Sequence, residues 1–391
     1  MQNSQAEVER KLERNIPILY SYSFFYMFLI LIPILVPYFM NLGLSMEDIF
    51  IVQASFGVMM ALFEIPSAYL GDLWGRKKIL LLGSFIHGIG FSLLLWAHDF
   101  WSLLIYEMIL AIGTSFVSGA DLSLLYESSQ KGRYEKAKII GRYQGMHLSG
   151  EAVASVVCSL IFVYGYSAVV ASQVFVGWIP FILSLFLYEK PVSKIKHESH
   201  TQNIIKVFKY IFKGHPYIRL IMINMTFWGL STFCAVWILQ KYWIENGVDK
   251  ESLGFIWGGL HILAALIAHF TPKIEKLIGR GSALFLIGAL PIIAYFLMGS
   301  IDGVLGVLVS SLFYIARGIN MVVMKETFNH AIEDQFRNTA NSISSLLFRL
   351  GFFILAPGIG YLIDKNGVDN TLMWLGGFFL IGFIVFMVPV L

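Results

Sequence analysis

Twelve stretches of about 20 or more predominantly apolar residues leave this chain almost no way to fold in water. They lie near 16–40, 49–70, 79–97, 102–127, 139–163, 166–187, 217–243, 252–271, 282–300, 303–325, 338–363 and 371–391. A helix of about 20 residues spans the hydrocarbon core of a bilayer, and only helices satisfy their own backbone groups there. Charged residues make up 14% of the 391, against about 25% in soluble domains, so no water-facing surface of ordinary size can be built. The chain reads as an all-α membrane protein with twelve transmembrane helices. Nucleic-acid binding and soluble-enzyme chemistry are excluded as leading ideas, and a net charge of +3 implies no acidic partner.

Lys and Arg orient the bundle. The N-terminal segment and alternate loops carry 23 of them, the opposite loops only Lys241, Lys250 and Lys365, and Arg317 and Arg349 fall inside apolar runs. The positive-inside rule then places both termini in the cytoplasm. The first run is too long for a signal-peptide core and lacks a small-residue cleavage site, so it is taken as the first spanning helix. Cys158 and Cys234 lie far apart in apolar runs, which excludes a disulfide framework, and no metal-ligating cluster occurs. The polar stretch after Tyr188 divides the chain into 1–187, a basic linker 188–216, and 217–391. Within that linker Ile204, Ile205, Phe208, Ile211 and Phe212 share a face, which fits an amphipathic helix on the inner leaflet or a plain tether.

Between the second and third runs stands Pro66-Ser67-Ala68-Tyr69-Leu70-Gly71-Asp72-Leu73-Trp74-Gly75-Arg76-Lys77. It resembles the G-x-L-a-D-r-x-G-r-k signature of the major facilitator superfamily, with Ala68 and Leu73 departing from the usual residues and Asp72, Gly75 and Arg76-Lys77 retained. The resemblance implies two pseudo-symmetric six-helix bundles and transport by alternating access, and it makes Arg337, at the start of the eleventh helix, the partner of Asp72. Apart from the resemblance, Gly75 suits a tight turn and Asp72 a helix N-terminus or an arginine. The expected cytoplasmic gate comprises Asp72, Gly75, Arg76, Glu127, Arg142 and Arg337; a solvated topogenic loop is the plainer alternative.

Fainter echoes point to an internal repeat. Glu275, Gly279 and Arg280 follow the eighth run, and Asp121-x5-Glu127 is matched by Asn320-x5-Glu326, each followed by an arginine, Arg142 and Arg337. Transporters built from such repeats hold solute between their halves near the midplane.

Charges at membrane depth are costly and need a reason. By helical rise Glu64 and Asp121 lie about 10 Å inside their runs and Glu151 about 18 Å. His147 precedes Glu151 by four residues and shares its face, and Asp121 is expected at the depth of His147. Glu151, His147, Asp121 and Glu64 are therefore the candidate proton-coupling residues, buried carboxyls beside an imidazole. A structural network of Asp121, Glu127 and Arg142 is the alternative, and Glu64 fits gate support equally well. Arg317 and Arg349 either balance these carboxylates or grip an anion, since guanidinium matches carboxylate and phosphate.

Tyr26, Asn224 and Trp228 join the arginines as candidate solute-lining residues, ring and amide groups suited to an organic ligand. Trp96, Trp101 and Trp243 fit interfacial belts, and His87 fits packing. No nucleophile elbow, P-loop or HExxH pattern occurs, so an enzyme is not expected and no cofactor is implied. The reading is a proton-coupled secondary transporter, working as a monomer in the inner membrane, whose partners are a small-molecule substrate, protons and the bilayer. Sodium coupling stays open. An anionic, metabolite- or siderophore-like solute taken up is favoured; export of amphipathic drugs is the alternative, although the fifth run lacks the exporters' G-P-x-x-G-G signature.

Overall fold

The computed structural model describes residues 2–129, 133–190, 207–333 and 336–391; the side chains of 2–6, Asp72, 133–135, 137 and 338 fall outside the description. The described residues contain helices and no strand. They form α1 (Gln2–Tyr26), α2 (Leu35–Asn41), α3 (Met46–Trp74), α4 (Arg76–Leu93), α5 (Phe100–Val117), α6 (Ala120–Ser128), α7 (Arg133–Phe162) and α8 (Tyr166–Gly177). There follow α9 (Ile179–Leu185), α10 (Pro216–Glu245), α11 (Leu253–Ile278), α12 (Arg280–Met298), α13 (Val304–Val309), α14 (Ser311–Ala331), α15 (Arg337–Asn366) and α16 (Val368–Gly382).

Ten helices among the described residues are long and apolar enough to cross a membrane. Two of the twelve expected runs fall outside that group, each for a local reason. Arg76, Lys77 and Lys78 occupy the first turn of α4 and lower its apolar content. The first run is not one helix: α1 ends at Tyr26, the chain unwinds, and a 3-10 turn at Ile32–Ile34 leads into α2. Pro33 explains the break, because it donates no hydrogen bond and its ring crowds the carbonyl four residues earlier. The Leu31 N–H in the gap donates to Gln173 Oε1 at 3.2 Å, and Gln173 is itself buried on α8.

By their contacts the residues form two compact units, Met1–Gly43 with Ser55–Lys196, and Leu44–Ala54 with His197–Leu391. In the first, α4 and α5 pack through glycines; a side chain at Gly113 would collide with the His87 backbone at 2.7 Å. In the second, Trp228, Tyr295 and Phe379 are fully buried, with Tyr295 and Phe379 stacked at 5.4 Å. Trp243 is also fully buried, unlike the exposed Trp96 and Trp101, so it packs the core instead of an interfacial belt.

Within the linker's apolar face Ile211 turns into the protein and Phe208 stays exposed. Val207 and Ile211 are buried in a cluster with Ile218, Phe328 and Phe336 of the second unit, and Phe208 stacks on Phe212 at 4.3 Å. Protein side chains supply the apolar surface there; Ile204 and Ile205 lie outside the described residues.

Helix pairs recur with one turn geometry. Gly75, Gly165, Gly279 and Gly367 immediately precede α4, α8, α12 and α16 with φ of 97°, 85°, 82° and 81° and ψ between 155° and 177°. That backbone region is essentially reserved for glycine. The repeat glimpsed at Gly75 and Gly279 thus extends to the uncharged Gly165 loop and to the Gly367 loop, where Asp364 precedes the glycine by three residues as Asp72 precedes Gly75.

Candidate functional site

The break in the fourth expected run creates the site in the first unit. Gly119 adopts a left-handed conformation, α5 stops, and α6 begins afresh with Asp121 in its first turn. A carboxylate there faces the positive end of a helix dipole well away from the chain's polar loops. The Leu122 N–H donates to Asp121 Oδ1 at 2.7 Å, and the Tyr143 hydroxyl donates to Oδ2.

Tyr143 extends the polar contacts along α7. It is buried, and its carbonyl accepts from Ser23 Oγ of α1 at 3.2 Å. The same hydroxyl lies 3.4 Å from His147 Nδ1, one helical turn beyond Tyr143, and Glu151 stands one turn further. A side chain at Gly150 would collide with the Phe24 carbonyl, so α1 and α7 are close at this level. The immediate partner of Asp121 is therefore Tyr143, and His147 joins through Ser23. Sequence reasoning missed Tyr143 and Ser23; the spacing Tyr143–His147–Glu151, repeating every four residues, was the available signal.

Tyr26 closes α1 where helix one unwinds. Its ring lies between Tyr22, at 5.8 Å, and His87, at 4.8 Å, while Tyr22 Oη meets Ser84 Oγ at 2.7 Å. Glu64 is half-buried on α3, which runs through Pro66 without interruption. The Ser67 hydroxyl lies 3.0 Å from the Glu64 carbonyl and 2.9 Å from that of Ser115 on α5.

At the Gly75 turn the capping group is Glu189. Its Oε1 accepts from Arg76 N at 2.6 Å and its Oε2 from Lys77 N at 3.0 Å. The Arg76 guanidinium lies against Gly71, and Glu127 feels the charges of Glu189, Arg76 and Lys190. Arg142 is exposed, and its charge acts on the Tyr20 hydroxyl. Arg337 donates from Nε to the Asn329 carbonyl at 3.2 Å, and Asn341 Nδ2 meets Asn329 Oδ1 at 2.9 Å. The side chain of Asp72 lies outside the described residues.

In the second unit the six apolar runs contain no Asp or Glu at all. Arg317, half-buried on α14, has no hydrogen bond or ion pair with the described residues, and Arg349 is half-buried on α15. Asn224 and Trp228 are fully buried. Asn224 Nδ2 donates to the carbonyls of Leu220 and Phe386 at 3.0 and 2.7 Å, and its Oδ1 accepts from Trp228 Nε1 at 3.0 Å. Their polar atoms are occupied by the chain itself, which makes this pair a brace between α10 and the π turn Phe383–Met387.

A sequence model of the Major Facilitator Superfamily matches residues 18–355. The chain belongs to this superfamily. It is 23% identical over 376 residues to the uncharacterized MFS-type transporter MJ1560 of Methanocaldococcus jannaschii, covering 92% of this chain and 94% of that one. It is 24% identical to the uncharacterized MFS-type transporter YxaM of Bacillus subtilis, covering 90% of each. Among solved structures, a mutant of the nucleoside transporter NupG superposes with a TM-score of 0.80 at 15% identity, covering 96% of this chain and 99% of that one. A POT family transporter in complex with 5-aminolevulinic acid gives 0.76 at 15% identity, with 96% of each covered. A D-xylose–proton symporter gives 0.69 at 13% identity, covering 93% and 95%. The protein is a multi-pass membrane transporter of the superfamily fold.

Proposed function

We propose that this transporter is a proton-coupled, alternating-access carrier that takes up a small organic anion across the inner membrane. All twelve runs cross, both termini are cytoplasmic, and the halves joined by the linker rock as a monomer. The observation that carries this reading is the segregation of charge at membrane depth. Glu64, Asp121 and Glu151 lie in the first half, and Arg317 and Arg349 in a second half whose apolar runs hold no carboxylate. An ionised group in a span costs about 2.5–3.5 kcal/mol on insertion scales, so two arginines in apolar runs that hold no carboxylate suit an anionic solute. A carboxylate or phosphate solute supplies one with geometry matched to guanidinium. The Asp121–Tyr143 pair and the neighbouring His147 give the proton its acceptors. Fold similarity to a D-xylose–proton symporter supports coupling at the level of the scaffold.

A thermal-shift screen of the purified protein tests the solute class. Organic carboxylates or phosphates are expected to stabilise it, and R317A or R349A to lose that stabilisation while inserting normally. Stabilisation by cationic amphipathic drugs, undiminished in R317A and R349A, would mark an exporter instead.

A further inference from the structure

The first turn of α3 is capped twice, once by its own neighbours and once by a residue 318 positions from Met46. Locally, Ser45 and Asp48 cap each other: Asp48 N donates to Ser45 Oγ at 3.1 Å, and Ser45 N to Asp48 Oδ2 at 3.1 Å. This box leaves two of the helix's orphan donors, the N–H groups of Met46 and Glu47. Both go to Asp364 in the last turn of α15, at 3.0 Å to Oδ1 and 2.8 Å to Oδ2.

The surrounding contacts are close. A side chain at Gly360, one turn before Asp364, would fall 2.5 Å from Glu47 Cα. Phe50 and Phe352 meet at 6.2 Å, and Met46, Ile49 and Phe50 are buried. By contacts residues 44–54 belong to the second unit, although α3 continues unbroken to Trp74 in the first. Asp364 itself is exposed, so water stands ready to take over its bonds and their release costs little.

We propose that Asp364 is a reversible outer latch, holding the N-terminal turn of α3 against α15 and letting it go when the transporter opens outward. The inference rests on the alternating-access reading above. The local box keeps α3 helical after release, which is what a latch needs and a simple stabilising cap does not.

The test uses the full chain in nanodiscs, with D364N removing the charge and G360A wedging α15 away from Glu47. Hydrogen exchange at Met46 and Glu47 reads the latch. Two single-cysteine reporters read the consequence: A54C, at a buried position of α3, and S149C, at an exposed position of α7; both native cysteines are buried. In D364N we expect exchange about fivefold faster or more, faster labelling of A54C by an impermeant maleimide, and slower labelling of S149C. Unchanged exchange, or faster exchange with A54C labelling unchanged, would overturn the latch. Faster A54C labelling with S149C unchanged would keep the latch and count against alternating access. Should D364N fail to fold, G360A is expected to give the same three changes, and normal exchange at Met46 and Glu47 in G360A overturns the proposal.

Discussion

The Tyr143 hydroxyl donates to the Asp121 carboxylate across two helices of the first unit, and the Tyr143 carbonyl and His147 share the hydroxyl of Ser23. The half-buried Asp121 carboxylate meets the positive end of a fresh helix, and the phenol beside it can follow its protonation.

From this pairing, Y143F is expected to reduce proton-coupled uptake by about tenfold or more, the worth of a hydrogen bond to a charged group. D121N is expected to flatten the pH dependence of uptake, with binding of the solute retained. Initial rates in vesicles at several pH values check both. A normal pH profile in both variants would reduce the pair to a structural contact.

The Gly75 turn should tolerate no side chain. An added Cβ would sit 2.5 Å from Glu189 Oε2, on a backbone with φ of 97°. G75A is expected to cost about 1–3 kcal/mol from the backbone conformation alone. E189A should be milder, at about 1 kcal/mol for a lost helix cap. Thermal unfolding in detergent ranks the two; an E189A variant as stable as the wild type would contradict the assignment of Glu189 as the cap, and G75A milder than E189A would contradict the turn's need for glycine.

N224A separates a brace from a binding residue. It leaves Trp228 Nε1 and the Phe386 carbonyl buried without their partner, at about 1–3 kcal/mol each. Stability should fall while the affinity for the solute, measured by thermal shift on the surviving protein, is unchanged. A loss of affinity with stability intact would return Asn224 to the solute site.

Much of the scaffold was legible in the residues because bilayer physics leaves so few choices: long apolar runs, basic loops and the Gly71–Lys77 motif point to one family of folds. The breaks were harder to read. Pro33 and Gly119 interrupt runs whose hydropathy is continuous, and hydropathy carries no record of backbone direction. The candidate site suffered from the same blindness. Asp121, His147 and Glu151 stand out as charges at depth, whereas Tyr143 and Ser23 look like ordinary membrane residues until α1, α6 and α7 are packed together. Asn224 and Trp228 were ambiguous for another reason, since an amide and an indole in a span suit a ligand as well as each other. Glu189 was hidden by its neighbours, a capping carboxylate at the edge of a basic linker.

The most direct measurement takes the solute that gives the largest thermal shift and places it outside proteoliposomes holding a pH-sensitive dye. An inward solute gradient is expected to acidify the lumen with the wild-type protein and to leave it unchanged with D121N, with the same result in sodium-free buffer. Solute entry without acidification, or acidification that D121N leaves intact, would contradict coupling through the Asp121–Tyr143 pair.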